Sequence, residues 1–190
     1  MEPTRTSANA YLTLIKENMT IRDAVFSDAA DIARLTSLLG YAADAETIFY
    51  RLEKTSSRQE HLVIVAVFKE EIVGWLQAHA SMALESGFRA EIIGLIVHEK
   101  SRRCGIGRSL VQRAERWAVE IGAEAVVVRS NMKRVESHIF YPALGFAVSK
   151  TQSVYRKLLR PEQNQPLPTI KSVTDCADAR SAMDAGAADV

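Results

Sequence analysis

The run Arg102-Arg103-Cys104-Gly105-Ile106-Gly107 has the residue types of an anion site. It lies between an apolar stretch and a helical pattern. A turn there leaves several backbone N–H groups without partners and aimed at one spot. Those amides, with the dipole of the following helix, suit a phosphate or pyrophosphate. Gly105 and Gly107 have no Cβ to hold an anion away from the backbone. Arg102, Arg103 and Arg108 add charge-assisted donors for phosphate oxygens. Taken alone, these six residues fit a glycine turn with solvated arginines equally well; the flanking strand and helix favour the anion.

Other chemistries fit less well. The dinucleotide fingerprint needs G-x-G-x-x-G and an acidic residue ending the next strand. Here Leu110 stands where the third glycine would fall, and the next strand ends in Arg129-Ser130-Asn131. No Gly-Lys-Ser/Thr occurs, so a P-loop is not expected. Cys104 sits in the loop with no base beside it, which argues against an acyl-cysteine. The four histidines have no metal-ligand spacing, and no metal is expected.

The elements around the loop follow from periodicity. Residues 19–22 read as a first strand. Ser27 is a plausible cap for a helix carrying Ile32, Leu35, Leu38 and Leu39, and Asp44 for one carrying Ile48, Phe49 and Leu52. Residues 62–68 and 72–79 read as a hairpin across Lys69-Glu70-Glu71, and 81–88 as a loop. Residues 91–97 are almost wholly apolar after Glu91, as in a strand covered on both faces. Leu110, Val111, Ala114, Trp117, Ala118 and Ile121 form a helical stripe that Gly122 stops. Residues 125–129 are a fifth strand, joined to the fourth by a parallel crossover. A short helix over 135–144 ends at Gly145, and 146–157 supply one or two closing strands. The expected fold is α/β: a mixed twisted sheet of six to seven strands with helices on both faces. Residues 1–18 read as an extension, 19–160 as the domain, and 161–190 as a disordered tail.

The chain has 190 residues, 47% apolar and 25% charged, with a formal net charge of +1. No global field favours nucleic acid or an acidic membrane, so neither is an expected partner. Two cysteines far apart fit a reducing cytoplasm better than a disulfide scaffold. No apolar run approaches a membrane span, and residues 1–10 lack a secretory core. A homodimer is left open.

An R-x-x-G-x-G loop after Leu95-Ile96-Val97, followed by Asn131, Arg134, His138 and Phe140-Tyr141-Pro142-Ala143-Leu144-Gly145-Phe146, resembles the GNAT superfamily of N-acetyltransferases. The resemblance covers residues 19–158 and is strongest over 91–146. It implies that strands four and five splay and admit the pantetheine arm of acetyl-CoA. Leu95, Ile96 and Val97 would then face that arm through their backbone. Residues 102–108 (Arg102, Arg103, Cys104, Gly105, Ile106, Gly107 and Arg108) would hold the pyrophosphate. Asn131 and His138 would lie nearby.

Acetyl transfer to an amine needs a neutral amine, a polarised thioester carbonyl and a protonated or stabilised thiolate. Tyr141 is the candidate acid, as a phenol of pKa about 10 can protonate a thiolate of comparable basicity. Two adjacent helical residues do not both face the core, so Phe140 and Tyr141 should diverge. Glu91, alone at the head of an apolar strand, is the candidate base, directly or through water; a solvated strand-start residue is the other reading. Amides near Ile96 and Val97 would polarise the carbonyl. The residues from Ser130 to Arg134, with His138, resemble the small-amine branch of the superfamily, including aminoglycoside-type and aminoalkylphosphonate-type acceptors. Ser137 and Pro142 depart from that branch. The acceptor side would be built from residues 29–54 and 81–88, with Glu46, Glu53, Glu85 and Glu91 as acids that either attract a cationic amine or merely decorate the surface. An acetyltransferase for protein N-termini or lysines, and a non-catalytic acetyl-CoA-binding module, are the alternative functions.

Overall fold

The computed structural model describes residues 18–157, apart from 39, 41, 42 and 57. The expected tail, nearly all of the expected extension, and Leu39 of the first helical stripe lie outside the described residues. Five strands form one sheet in the order β1-β2-β3-β4-β5: β1 Met19–Asp23, β2 His61–Phe68, β3 Glu71–Ala83, β4 Gly87–Val97 and β5 Ala125–Val128. The first three pairings are antiparallel and β4 pairs with β5 in parallel. The helices are α1 Ala29–Ser37, α2 Ala45–Ser56, α3 Ile106–Glu120 and α4 Val135–Phe140.

Alternation along the strands builds two cores. Ile64, Leu76 and Ile92 face one side and meet Leu110, Val111, Ala114 and Trp117 of α3. Val65, Trp75 and Ile96 face the other and meet Ile32 and Leu35 of α1 with Ile48 and Leu52 of α2. Burial of each large aliphatic side chain contributes about 1.5–3 kcal/mol. The pattern is reset in β4. Gln77 pairs with Gly94 and Ala78 with Ile92, so Ile93 bulges out and is half exposed.

Four expectations need correction. The anticipated loop over 81–88 is mostly strand, because Ser81, Met82 and Ala83 pair with Arg89, Phe88 and Gly87; only 84–86 turn the hairpin. Glu91 is therefore mid-strand and 4% exposed, neither at a strand head nor solvated. Ser27 does not cap α1. Asp28 organises that start, accepting from the Val25 amide at 2.8 Å and from two Arg22 nitrogens at 2.6 and 2.9 Å. Asp44 does cap α2, accepting from the Thr47 amide at 2.7 Å. The closing strands are absent among the described residues. The chain divides into two compact units, Met1–Ala147 and Val148–Val190. In the described part of the second, Val148, Val154 and Tyr155 stay exposed, and no apolar burial rewards a ladder.

Candidate active site

The site begins where a ladder stops. The β4–β5 pairing ends at Ile92 and Val128, while β4 runs on to Val97. A cleft of about 1020 Å³ opens there. One wall is Ile92–Val97. The other is the chain leaving β5, through Arg129, Ser130 and Asn131 to Tyr141.

The loop at the mouth has an unusual backbone. Arg103 and Gly105 both take positive φ, 63° and 84°, which costs little at glycine and more at arginine. A Cβ on Gly105 would meet nothing within 4 Å, so the backbone there is open to a ligand. Gly105 is the N-cap of α3, and its carbonyl accepts from Ser109 at 3.0 Å. The amides of Ile106, Gly107 and Arg108 therefore have no partner inside the helix. Gly107 is small for a different reason. A Cβ there would lie 3.2 Å from the Phe140 ring, so its absence admits an aromatic side chain.

The expected residues divide by geometry. Leu95, Ile96, Val97, Arg102, Arg103, Gly105, Ile106, Gly107, Arg108, Asn131 and Tyr141 all line the cleft. Cys104 does not; its side chain is buried in the α3-side core and its thiol donates to the Arg102 carbonyl at 3.4 Å. Burial pushes that thiol above its ordinary pKa. His138 is also outside the lining, its Nε2 lying 3.2 Å from the Met132 carbonyl oxygen. Two of the expected arginines are partly engaged. Arg102 Nε donates to the Val97 carbonyl at 3.2 Å, and Arg108 donates to that of Ala143 at 3.3 Å. The Asn131 side chain accepts from the Lys133 amide at 2.9 Å and shapes its own turn.

Phe140 and Tyr141 both line the cleft, and Phe140 also packs on Gly107 and the α3-side core. The Tyr141 ring sits edge-on to Phe140 at 5.1 Å and Phe146 at 5.6 Å. Burial raises its phenol above the ordinary value, and the nearby Arg134 cation opposes this in part. A neutral phenol at the cleft wall can donate a proton to an anion formed inside it.

Glu91 does not line the cleft. Its carboxylate contacts Arg129 Nη1 at 3.0 Å, and Arg129 does line it. Arg129 was not among the expected site residues. The available signal was a lone carboxylate in one apolar strand facing an arginine that ends the next. Trp75 and Gly94 are a second unforeseen pair: a Cβ on Gly94 would lie 2.6 Å from the Trp75 ring.

Residues 28–146 match the family model described as acetyltransferase (GNAT) family. An acetyl transferase of rice (Oryza sativa subsp. japonica), GW6a, is 31% identical over 109 residues, 50% of this chain and 26% of the relative. The chain thus spans about a quarter of that relative's length. An uncharacterized N-acetyltransferase of Chlorobaculum tepidum is 31% identical over 131 residues, 63% of this chain and 79% of the relative. A crystal structure described as a transcriptional regulator from Bacillus halodurans has a TM-score of 0.68 at 28% identity, covering 73% of this chain and 99% of that one. The aminoglycoside 6'-N-acetyltransferase AAC(6')-Ih from Acinetobacter baumannii has a TM-score of 0.66 at 21% identity, over 75% and 99% of the two chains, and shares the fold.

Proposed function

The chain belongs to the acetyltransferase (GNAT) family, and from that premise we propose that it moves the acetyl group of acetyl-CoA to a primary amine of a small molecule, with both substrates bound. The observation that carries the proposal is the cleft opened by the early end of the β4–β5 ladder, with the Gly105 loop at its mouth and Tyr141 on its wall. The residues present fit the cosubstrate. Open backbone at Gly105 and the free amides of Ile106, Gly107 and Arg108 receive the diphosphate. The unpaired stretch of β4 offers backbone groups to the pantetheine amides, replacing the missing strand partner.

In the reaction the neutral amine attacks the thioester carbon; a C–N bond forms and the C–S bond breaks. Tyr141 gives its phenolic proton to the departing sulfur. The proton lost by nitrogen restores the phenol through water, so charge and protons balance. A base role for Glu91 has to run through water or Arg129, because its carboxylate is buried and paired. The small-amine acceptor is supported by fold neighbours described as aminoglycoside and glucosamine-6-phosphate N-acetyltransferases.

Calorimetry with CoA and a thiol-release assay with acetyl-CoA and a panel of amines test the reading. Binding of CoA and amine-dependent thiol release are expected. A chain with no affinity for CoA refutes it.

A further inference from the structure

We propose that Arg129, held in place by buried Glu91, anchors an anionic group on the acceptor, so that the amine acetylated carries a carboxylate, phosphate or phosphonate and is not a polycation. This rests on the acetyl-transfer reading above and specifies its second substrate.

The cleft is lopsided in charge. Among the described residues, Arg102, Arg103, Arg108, Arg129, Lys133 and Arg134 line it, against one acid, Glu136. Glu136 is 78% exposed and lies 3.9 Å from Arg102. Glu46, Glu53 and Glu85, considered above as attractors of a cationic amine, do not line the cleft. The charge of Glu91 is matched by Arg129 at 3.0 Å. A polycationic acceptor would meet like charge with little to offset it.

Three of these cations belong to the loop that receives the cosubstrate diphosphate, and Arg129 is far from it. Glu91 pairs with Val127, one pair before the β4–β5 ladder ends, and Arg129 follows Val128, the last paired residue. The Arg129 backbone is thus level with Ile93, and Val97, where β4 ends before the loop, is roughly 13 Å further along at about 3.3 Å per residue. Arg129 also faces the other side of the sheet. Val126 and Val128 pack toward α3, and alternation turns Arg129 with Glu91 to the side of α1, whose C-cap Leu38 lines the same cleft. A cation there is set apart from the loop cations, on the other face of the sheet, and is placed for a group on the acceptor.

Glu91 fixes this cation. A buried carboxylate needs a charged partner, and the pairing holds one guanidinium nitrogen at 3.0 Å. Guanidinium has five N–H donors in a rigid fork, and Arg129 keeps 60% of its side chain exposed. The remaining donors match the paired oxygens of a carboxylate or phosphate.

The test is calorimetry of the full chain saturated with CoA, using matched amines: 2-aminoethylphosphonate against ethanolamine, L-alanine against L-alaninamide, and spermidine. The anionic member of at least one pair should bind about tenfold tighter or more, equivalent to about 1.4 kcal/mol, with spermidine weakest. The two pairs distinguish phosphonate from carboxylate. In the double variant Glu91→Gln/Arg129→Gln, which leaves no buried charge unpaired, the preference should vanish while CoA affinity is retained. If that variant does not fold, Arg129→Lys serves instead; it keeps the charge, loses the fork, and should weaken the anionic amine with CoA affinity unchanged. Equal or tighter binding of the neutral amines or spermidine overturns the proposal, as does a preference that survives these substitutions. Amine acetylation without charge preference overturns this inference alone; absence of CoA binding overturns both readings.

Discussion

Gly94→Ala is the sharpest probe of how the cleft wall is built. The new Cβ would lie 2.6 and 2.7 Å from two Trp75 ring carbons, where ordinary contact begins at 3.4 Å. Ring or strand must therefore move by about 0.7–0.8 Å. Trp75 is 9% exposed and packed with Val65, Ile72 and Ile96, so the ring has little room to retreat. Overpacking of this kind costs about 1–3 kcal/mol. Replacing glycine recovers about 0.4–1 kcal/mol by restricting the unfolded chain. The net loss of up to about 2.6 kcal/mol lowers the melting temperature by up to roughly 10 °C for a domain of this size. Because Gly94 lines the cleft, acetyl-CoA affinity should fall as well. Thermal melts and calorimetry measure both. Trp75→Leu in the same chain should remove the clash, making the double variant less damaged than the sum of the singles. A Gly94→Ala protein more stable than wild type, or strictly additive losses, would refute the steric argument.

Tyr141→Phe keeps the edge-on contacts with Phe140 and Phe146, so stability should hold while kcat falls by about 10²-fold or more and KM changes little. Because burial raises the phenol, the alkaline loss of wild-type activity should begin above the ordinary tyrosine range and be missing from the variant's pH profile. Burial works against the Asp28 charge, but the Arg22 hydrogen bond and the Val25 amide together hold its carboxyl below the ordinary value. Its stabilisation is therefore present above the unfolded carboxyl range and lost as pH falls through the lower folded value. Asp28→Asn should remove that acid-side dependence and cost about 1–3 kcal/mol in denaturant titrations. Lys69 and Glu70 turn the β2–β3 hairpin with φ of 48° and 67°. Replacing them with Asn-Gly, which accepts that conformation, should raise stability by about 1 kcal/mol; no gain would count against strain there.

The loop and its flanking elements were legible because their signals are local: an apolar run, two glycines and a helical stripe between residues 91 and 121. Tyr141 was legible as one of two adjacent aromatics. What needed the third dimension was pairing. Ser81-Met82-Ala83 has modest strand character alone and becomes strand because 87–89 lie opposite. Gly107 was read as leaving room for an anion, yet Phe140, distant in sequence, takes the nearest space. Arg129 gains meaning only from Glu91 across the parallel pair. The closing strands are not found among the described residues, where Val148, Val154 and Tyr155 are exposed.

The cations around the cleft also govern how the chain responds to its solvent. Without a ligand, Arg102, Arg103 and Arg108 share one short loop at the cleft mouth and repel each other. Dissolved ions shorten the reach of that repulsion, to about 10 Å at 0.1 M. Added salt should therefore steady the free protein while weakening its hold on a polyanion. The cosubstrate acts in part as a counter-ion, and its stabilising effect should be greatest in dilute buffer.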